Sequence, residues 1–119
     1  MSYVDGFVVA VPTANEEAYR AFAAKAAEVF VRHGASQVIE AWGDAVPEGK
    51  LTDFRMAVKA KPDETVVFSW IVWPSKAVHD DGIKAAMEDL KDTMGEMPFD
   101  GSRMICGGFR TIVDARGAG

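Results

Sequence analysis

The sequence is poor in the residues that staple small secreted domains or hold metals. It has one cysteine, Cys106, and two histidines, His33 and His79, with no CxxC pair, no HxxxH and no carboxylate triad at ligand spacing. A lone thiol excludes an internal disulfide, and a zinc site lacks its ligands, so neither metal nor cofactor is expected. Glycine-rich phosphate fingerprints are missing too. There is no GxGxxG, and between Gly43 and Gly49 stand five residues, with Leu51 after Lys50 where a phosphate loop needs Ser or Thr for magnesium. No apolar run approaches the roughly 18 residues of a membrane span, and Asp5 stands where a signal peptide carries Lys or Arg, so a cytoplasmic protein is expected. Positive charge is short: 13 Lys+Arg against 18 Asp+Glu give a net charge of -5 and a pI near 4.9. Nucleic acid and anionic membranes would repel such a surface.

What is present is the composition of a soluble domain, 49% hydrophobic and 26% charged over 119 residues, and this length supports one core, spanning residues 1–119. Residues 3–11 read as a strand apolar on both alternating sets. Thr13-Ala14-Asn15-Glu16 matches a capping box, and Tyr19, Phe22, Ala23, Ala26, Ala27 and Phe30 then follow at helical spacing up to a stop at Gly34. A second strand is expected over residues 36–43, a loop over 44–52, and a third strand over 53–60. The third would form a hairpin with the strongly β-forming run 65–73. Pro74-Ser75 begins a second helix with Ile83, Ala86, Met87, Leu90 and Met94 on one stripe; the last strand is expected over residues 103–113, and residues 115–119 should fray.

The expected class is α+β, ferredoxin-like, in the order β-α-β-β-β-α-β, a mainly antiparallel sheet with two helices on one face. Two helices cover one face, yet the first, fourth and last strands are apolar on both. An uncovered second face would be too large a patch for an ordinary monomer. The expected solution is a homodimer in which two sheets face each other.

Several blocks together carry a resemblance. Residues 3–12 (YVDGFVVAVP), 53–60 (DFRMAVKA), 67–71 (VFSWI) with 73–76 (WPSK), and 97–101 (MPFDG) with 103–105 (RMI) and 107–109 (GGF) resemble the YbaA-like family of small bacterial proteins, over nearly the whole chain. The resemblance implies a dimeric α/β-barrel fold, related to ligand-binding proteins and to cofactor-free monooxygenases of antibiotic biosynthesis. It implies no activity and supplies no catalytic residues, because the family is of unknown function.

Candidate chemistry is sparse. Glu40 and Trp42 share one face of their strand, while Asp53 and Arg55 share a face of the next, so Arg55 is placed to pair with Glu40 or Asp53, holding a hairpin or presenting a guanidinium to an acidic ligand. Asp5 needs a partner if buried, such as Lys59 or Arg103. Asp100 is expected to bond nearby amides in the turn it opens. His33 reads as a cap or packing residue, and His79 as either a base or part of a solvated helix start beside Asp80 and Asp81. Cys106 reads as a small hydrophobe in a buried strand, and Gly107-Gly108 as a bulge or a close approach to a ligand. Trp42, Trp70 and other strand aromatics suggest an apolar pocket between sheet and helices, for which Glu40, Trp42, Arg55 and Trp70 are the expected lining. The leading function is a cytoplasmic homodimer that binds a small organic molecule. The alternatives are a cofactor-independent enzyme, oxygenase-like or isomerase-like, acting on a small aromatic or acidic metabolite, and a structural or stress-related dimer without a ligand.

Overall fold

A computed structural model describes residues 1–91 and 95–118. Among them four strands form one antiparallel sheet: β1 (Tyr3–Pro12), β2 (Gln37–Trp42), β3 (Glu64–Trp73) and β4 (Ile105–Arg110), in the order β2-β3-β1-β4. Three α-helices accompany it: α1 (Glu16–Arg32), a single turn α2 (Phe54–Ala57), and α3 (Lys76–Lys91). The central pair β1 and β3 is rich in β-branched and aromatic residues, which suit a strand packed on two sides. Its register is continuous from Tyr3 opposite Trp73 to Pro12 opposite Glu64.

Alternation assigns the two faces. Phe7, Val9, Val11, Val67, Ser69, Ile71 and Trp73 point toward α1 and α3, where they meet Tyr19, Ala23, Val29, Phe30 and Ala86. Helix α1 stops at Gly34, whose φ of 111° is open to glycine without strain, and Ala35 N–H returns to the Phe30 carbonyl. Helix α3 starts where the Ser75 hydroxyl accepts from Val78 N–H at 3.2 Å. The stripe position Met94 lies outside the described residues.

Several expectations need correction. Residues 53–60 form no strand: the Asp53 carboxylate accepts from Met56 N–H at 2.6 Å and Gly49 N–H at 2.9 Å, which winds the chain into α2. Such side-chain bonds offer the backbone an alternative to a ladder, and a positive φ of 50° at Lys59 completes the reversal. The order is therefore β-α-β-α-β-α-β, and β3 pairs with β1 and β2 instead of a 53–60 hairpin partner. The capping box does not form, because the Thr13 hydroxyl bonds Thr65 across the sheet end and Glu16 pairs with Arg20. Gly107-Gly108 is no bulge, since β1 and β4 pair without a skipped residue; a Cβ on Gly108 would lie 2.4 Å from the Tyr3 hydroxyl. Cys106 is exposed, because β4 is an edge strand. The last strand is shorter than expected, and residues 111–118 are irregular.

Candidate functional site

A wide apolar space lies between the sheet and the helices, where α1 and α3 cover β1 and β3 and Glu40 of β2 stands at the edge. It encloses about 490 Å³, within the range of small-molecule sites. Phe7, Val9, Phe30 and Ile71 form its floor and back, and Phe22 and Phe99 stand edge-on to each other at its wall, 5.6 Å between ring centroids. Its polar centre is built by three elements. Tyr19 comes from α1 and is 7% exposed; Ser69 comes from β3 and is 4% exposed; Glu40 comes from β2, directly opposite Ser69.

The Tyr19 hydroxyl donates to Glu40 Oε1 at 2.6 Å. Although Glu40 stands at an accessible mouth, its carboxyl lies among these apolar walls, and burial raises its pKa; the Tyr19 and Ser69 hydroxyls pull the other way. Burial likewise raises the Tyr19 pKa, reinforced by the adjacent carboxylate, so the phenol keeps its proton. Arrays of this kind offer a carboxylate of raised pKa as hydrogen-bond acceptor or proton acceptor at the accessible edge of an apolar space.

Of the four expected lining residues, Glu40 and Trp42 do share a face. Trp42 borders the shallower neighbouring cleft between α1 and β2, to which Glu40 also belongs. Trp70 and Arg55 are not brought to them. Trp70 pairs with Gly6 and Ile39 on the opposite face, because its neighbours Ser69 and Ile71 occupy the helix side. Arg55 sits on α2, its guanidinium donating to the carbonyls of Glu64 at 2.8 Å and Lys61 at 2.7 Å and not to Glu40, while its backbone N–H and its charge both favour the Asp53 carboxylate.

Two further ionic clusters were not legible in the sequence. Asp5, 8% exposed, finds neither Lys59 nor Arg103: its Oδ2 accepts from the Trp73 indole at 2.9 Å and its Oδ1 meets His79 Nε2 at 3.0 Å. His79 Nδ1 contacts Asp80 at 2.8 Å, and Tyr3 and Trp73 flank the ring. His79 is thus a half-buried tie between α3 and β1, with a carboxylate oxygen at each ring nitrogen, not a solvated helix start. Arg103 grips Glu64 with two bonds of 2.7 Å and adds Asp100 and the Lys59 carbonyl. Asp100 also accepts from Ser102 N–H, as the turn required. His33 caps α1 and contacts Asp89 on α3.

The other sheet face is apolar and only partly covered. Val58 and Ala60 close its end over Ala10 and Val66. Beyond them Phe68, Ile105 and Phe109 are 45%, 46% and 61% exposed, with Phe54 and Met56 beside them on α2. Phe54, Phe68 and Trp70 run as neighbouring rings, 5.9 and 5.4 Å apart.

Fold and site define a small α+β protein with one four-stranded antiparallel sheet, an apolar chamber under its helices and a bare opposite face. The fold resembles that of Rv0793 from Mycobacterium tuberculosis, with a TM-score of 0.53 over 98% of this chain and 100% of that one at 11% identity, a likeness of fold alone. The chain belongs to the family described as "Protein of unknown function (DUF1428)", which matches residues 2–101. It is 56% identical over 116 residues to the uncharacterized protein YbaA of Escherichia coli strain K12, covering 96% of this chain and 99% of that relative, and equally to YbaA of Shigella flexneri.

Proposed function

We propose that this chain is a cytoplasmic, ferredoxin-like subunit that pairs with a second copy through its bare sheet face, closing a dimeric α/β barrel, and binds a small organic molecule in the chamber between sheet and helices. The strand order β2-β3-β1-β4 with both long helices on one face supports the ferredoxin-like assignment. The observation that carries the dimer is the exposure of Phe68, Ile105 and Phe109 on one face, which they share with Val4, Val8, Ile39, Trp70 and Val72, with Gln37 at its edge. A patch of this kind on a small domain is an interface, and twofold pairing covers it with its own equivalent. Ile112 and Val113, each 78% exposed just beyond β4, extend the apolar surface available to the partner. The chamber's volume and the polar centre at its edge support the binding role.

Native mass spectrometry of freshly purified protein tests both parts. The expected spectrum is a dimer, with a retained small molecule released on activation, and Phe68→Glu with Phe109→Glu should shift it to monomer. A monomer at all concentrations for the unaltered chain would refute the pairing. A second reading, a cofactor-independent enzyme acting on an aromatic or acidic metabolite, is favoured by the raised Glu40 pKa, which suits a general base. In that case a bound ligand would be turned over, and Glu40→Gln would abolish turnover while sparing binding.

A further inference from the structure

The polar centre of the chamber is one-sided. Tyr19 has a single proton, and it is spent on Glu40 Oε1. Ser69 lies directly opposite Glu40 in the strand register, and its hydroxyl also favours the carboxylate. Both local donors therefore converge on the same acceptor, and what faces the chamber is unused acceptor capacity, since an ionised carboxylate takes about four hydrogen bonds. Among the described lining residues, the remaining charged group is Lys91, which is exposed at the rim.

From this we infer the class of ligand, an inference that rests on the chamber being a binding site: a flat, uncharged, largely apolar molecule of two or three fused rings that presents one hydroxyl, phenolic or enolic, to Glu40. The walls are apolar and aromatic, with Phe22 and Phe99 set to pack edge and face against a ring. A ligand carboxylate at the polar centre would sit beside the Glu40 carboxylate, and like charges at that distance repel. An ammonium group would gain that charge but brings three N–H donors, which would need the Tyr19 and Ser69 oxygens as well as Glu40, because the rest of the lining is almost wholly apolar. A hydroxyl brings one donor and meets one acceptor. It also places the most acidic proton of such a molecule against a carboxylate whose surroundings favour taking it up.

The test uses four probes on one bicyclic frame: beta-naphthol, its methyl ether, the corresponding carboxylate and the corresponding methylamine. Each is titrated calorimetrically and by amide chemical shifts into the full-length protein near neutral pH. The naphthol should bind about tenfold more tightly than its methyl ether, the worth of one hydrogen bond of about 1.4 kcal/mol. Both should outbind the two charged probes, with shifts centred on Ser69 and Ile71. In Glu40→Leu the preference for naphthol over its ether should vanish while the ether's own affinity holds. Tyr19→Phe, which frees acceptor capacity, should keep the preference, so a variant that fails to fold does not decide the matter alone. Equal affinity of naphthol and ether for the unaltered protein, or tighter binding of either charged probe, would overturn the ligand class while leaving the chamber as a site. Binding by none of the four would overturn both.

Discussion

Replacing Arg103 by methionine should expose how much of this fold rests on one ion pair. Glu64 is 6% exposed and opens β3; its carboxylate takes two bonds of 2.7 Å from the Arg103 guanidinium and one of 2.7 Å from Lys61 N–H. Arg103 is itself the cover. Few other protein atoms surround the carboxylate, so the pair lies just beneath the surface, and solvent screens it more than the exposure suggests. The guanidinium bonds hold the Glu64 pKa down to about 2, against an ordinary value of 4.5. The unfolded chain therefore binds the additional proton between those values, and stability rises with pH across that window. The contribution is present above about pH 4.5 and is lost as pH falls toward 2. Taken at face value the shift corresponds to about 3 kcal/mol, and allowing for screening reduces it to about 2 kcal/mol. Arg103→Met also removes the bond to the Lys59 carbonyl and leaves Glu64 without its cover, so the total loss near pH 7 should be about 3 kcal/mol. Urea unfolding at fixed protein concentration, near pH 7 and again near pH 3, reads both quantities. The variant should be destabilised at the higher pH and should approach the unaltered protein at the lower one. Asp53, Asp80 and Asp114 titrate in both proteins and cancel in the difference, whereas Asp100 loses the same guanidinium and adds to the difference in the same direction, since its pKa too is held low by Ser102 and then by Arg103. A loss below about 0.5 kcal/mol near pH 7, or a difference that does not shrink with acid, would refute the reasoning.

Two further perturbations probe the helix side of the sheet. Gly82→Ala would set a Cβ 2.4 Å from Trp73 Cζ3 and 2.5 Å from the His33 carbonyl oxygen, so α3 must move off the sheet; a loss of about 3 kcal/mol or more is expected in thermal unfolding, and an unchanged melting temperature would contradict the packing. Asp5→Ala would leave the buried Trp73 indole N–H without its acceptor and untie His79 from β1, at about 2–3 kcal/mol, with a changed near-ultraviolet circular dichroism of Trp73 as the accompanying signal.

The elements that periodicity exposes were legible in the sequence: the α1 stripe through Tyr19, Ala23 and Phe30, the β-branched run of β3, and the Ser75 cap of α3. Residues 53–60 misled because Phe54, Met56 and Val58 alternate as in a strand, while what shapes them is a cap at Asp53 and the reach of Arg55 to two carbonyls, bonds that no periodicity records. The site was half legible. A charged residue at position 40, in a strand otherwise apolar on that face, marked Glu40, but Tyr19 looked like one more core ring because its hydroxyl partner lies on another element. Arg103 was visible only through its neighbour Asp100, for the same reason.

Trp70 shows where a sequence runs out of information. In β3 both alternating sets are apolar, Val66, Phe68, Trp70 and Val72 against Val67, Ile71 and Trp73, so the pattern says that two faces are covered without saying by what. The one polar residue in the second half of the strand, Ser69, decides it. A small hydroxyl, 4% exposed, belongs where a partner is waiting, and Glu40 directly opposite supplies that partner on the helix side. Once Ser69 faces the helices, Phe68 and Trp70 must face away, so the residue that completes the chamber's polar centre is also the one that turns the aromatic neighbours toward the bare face.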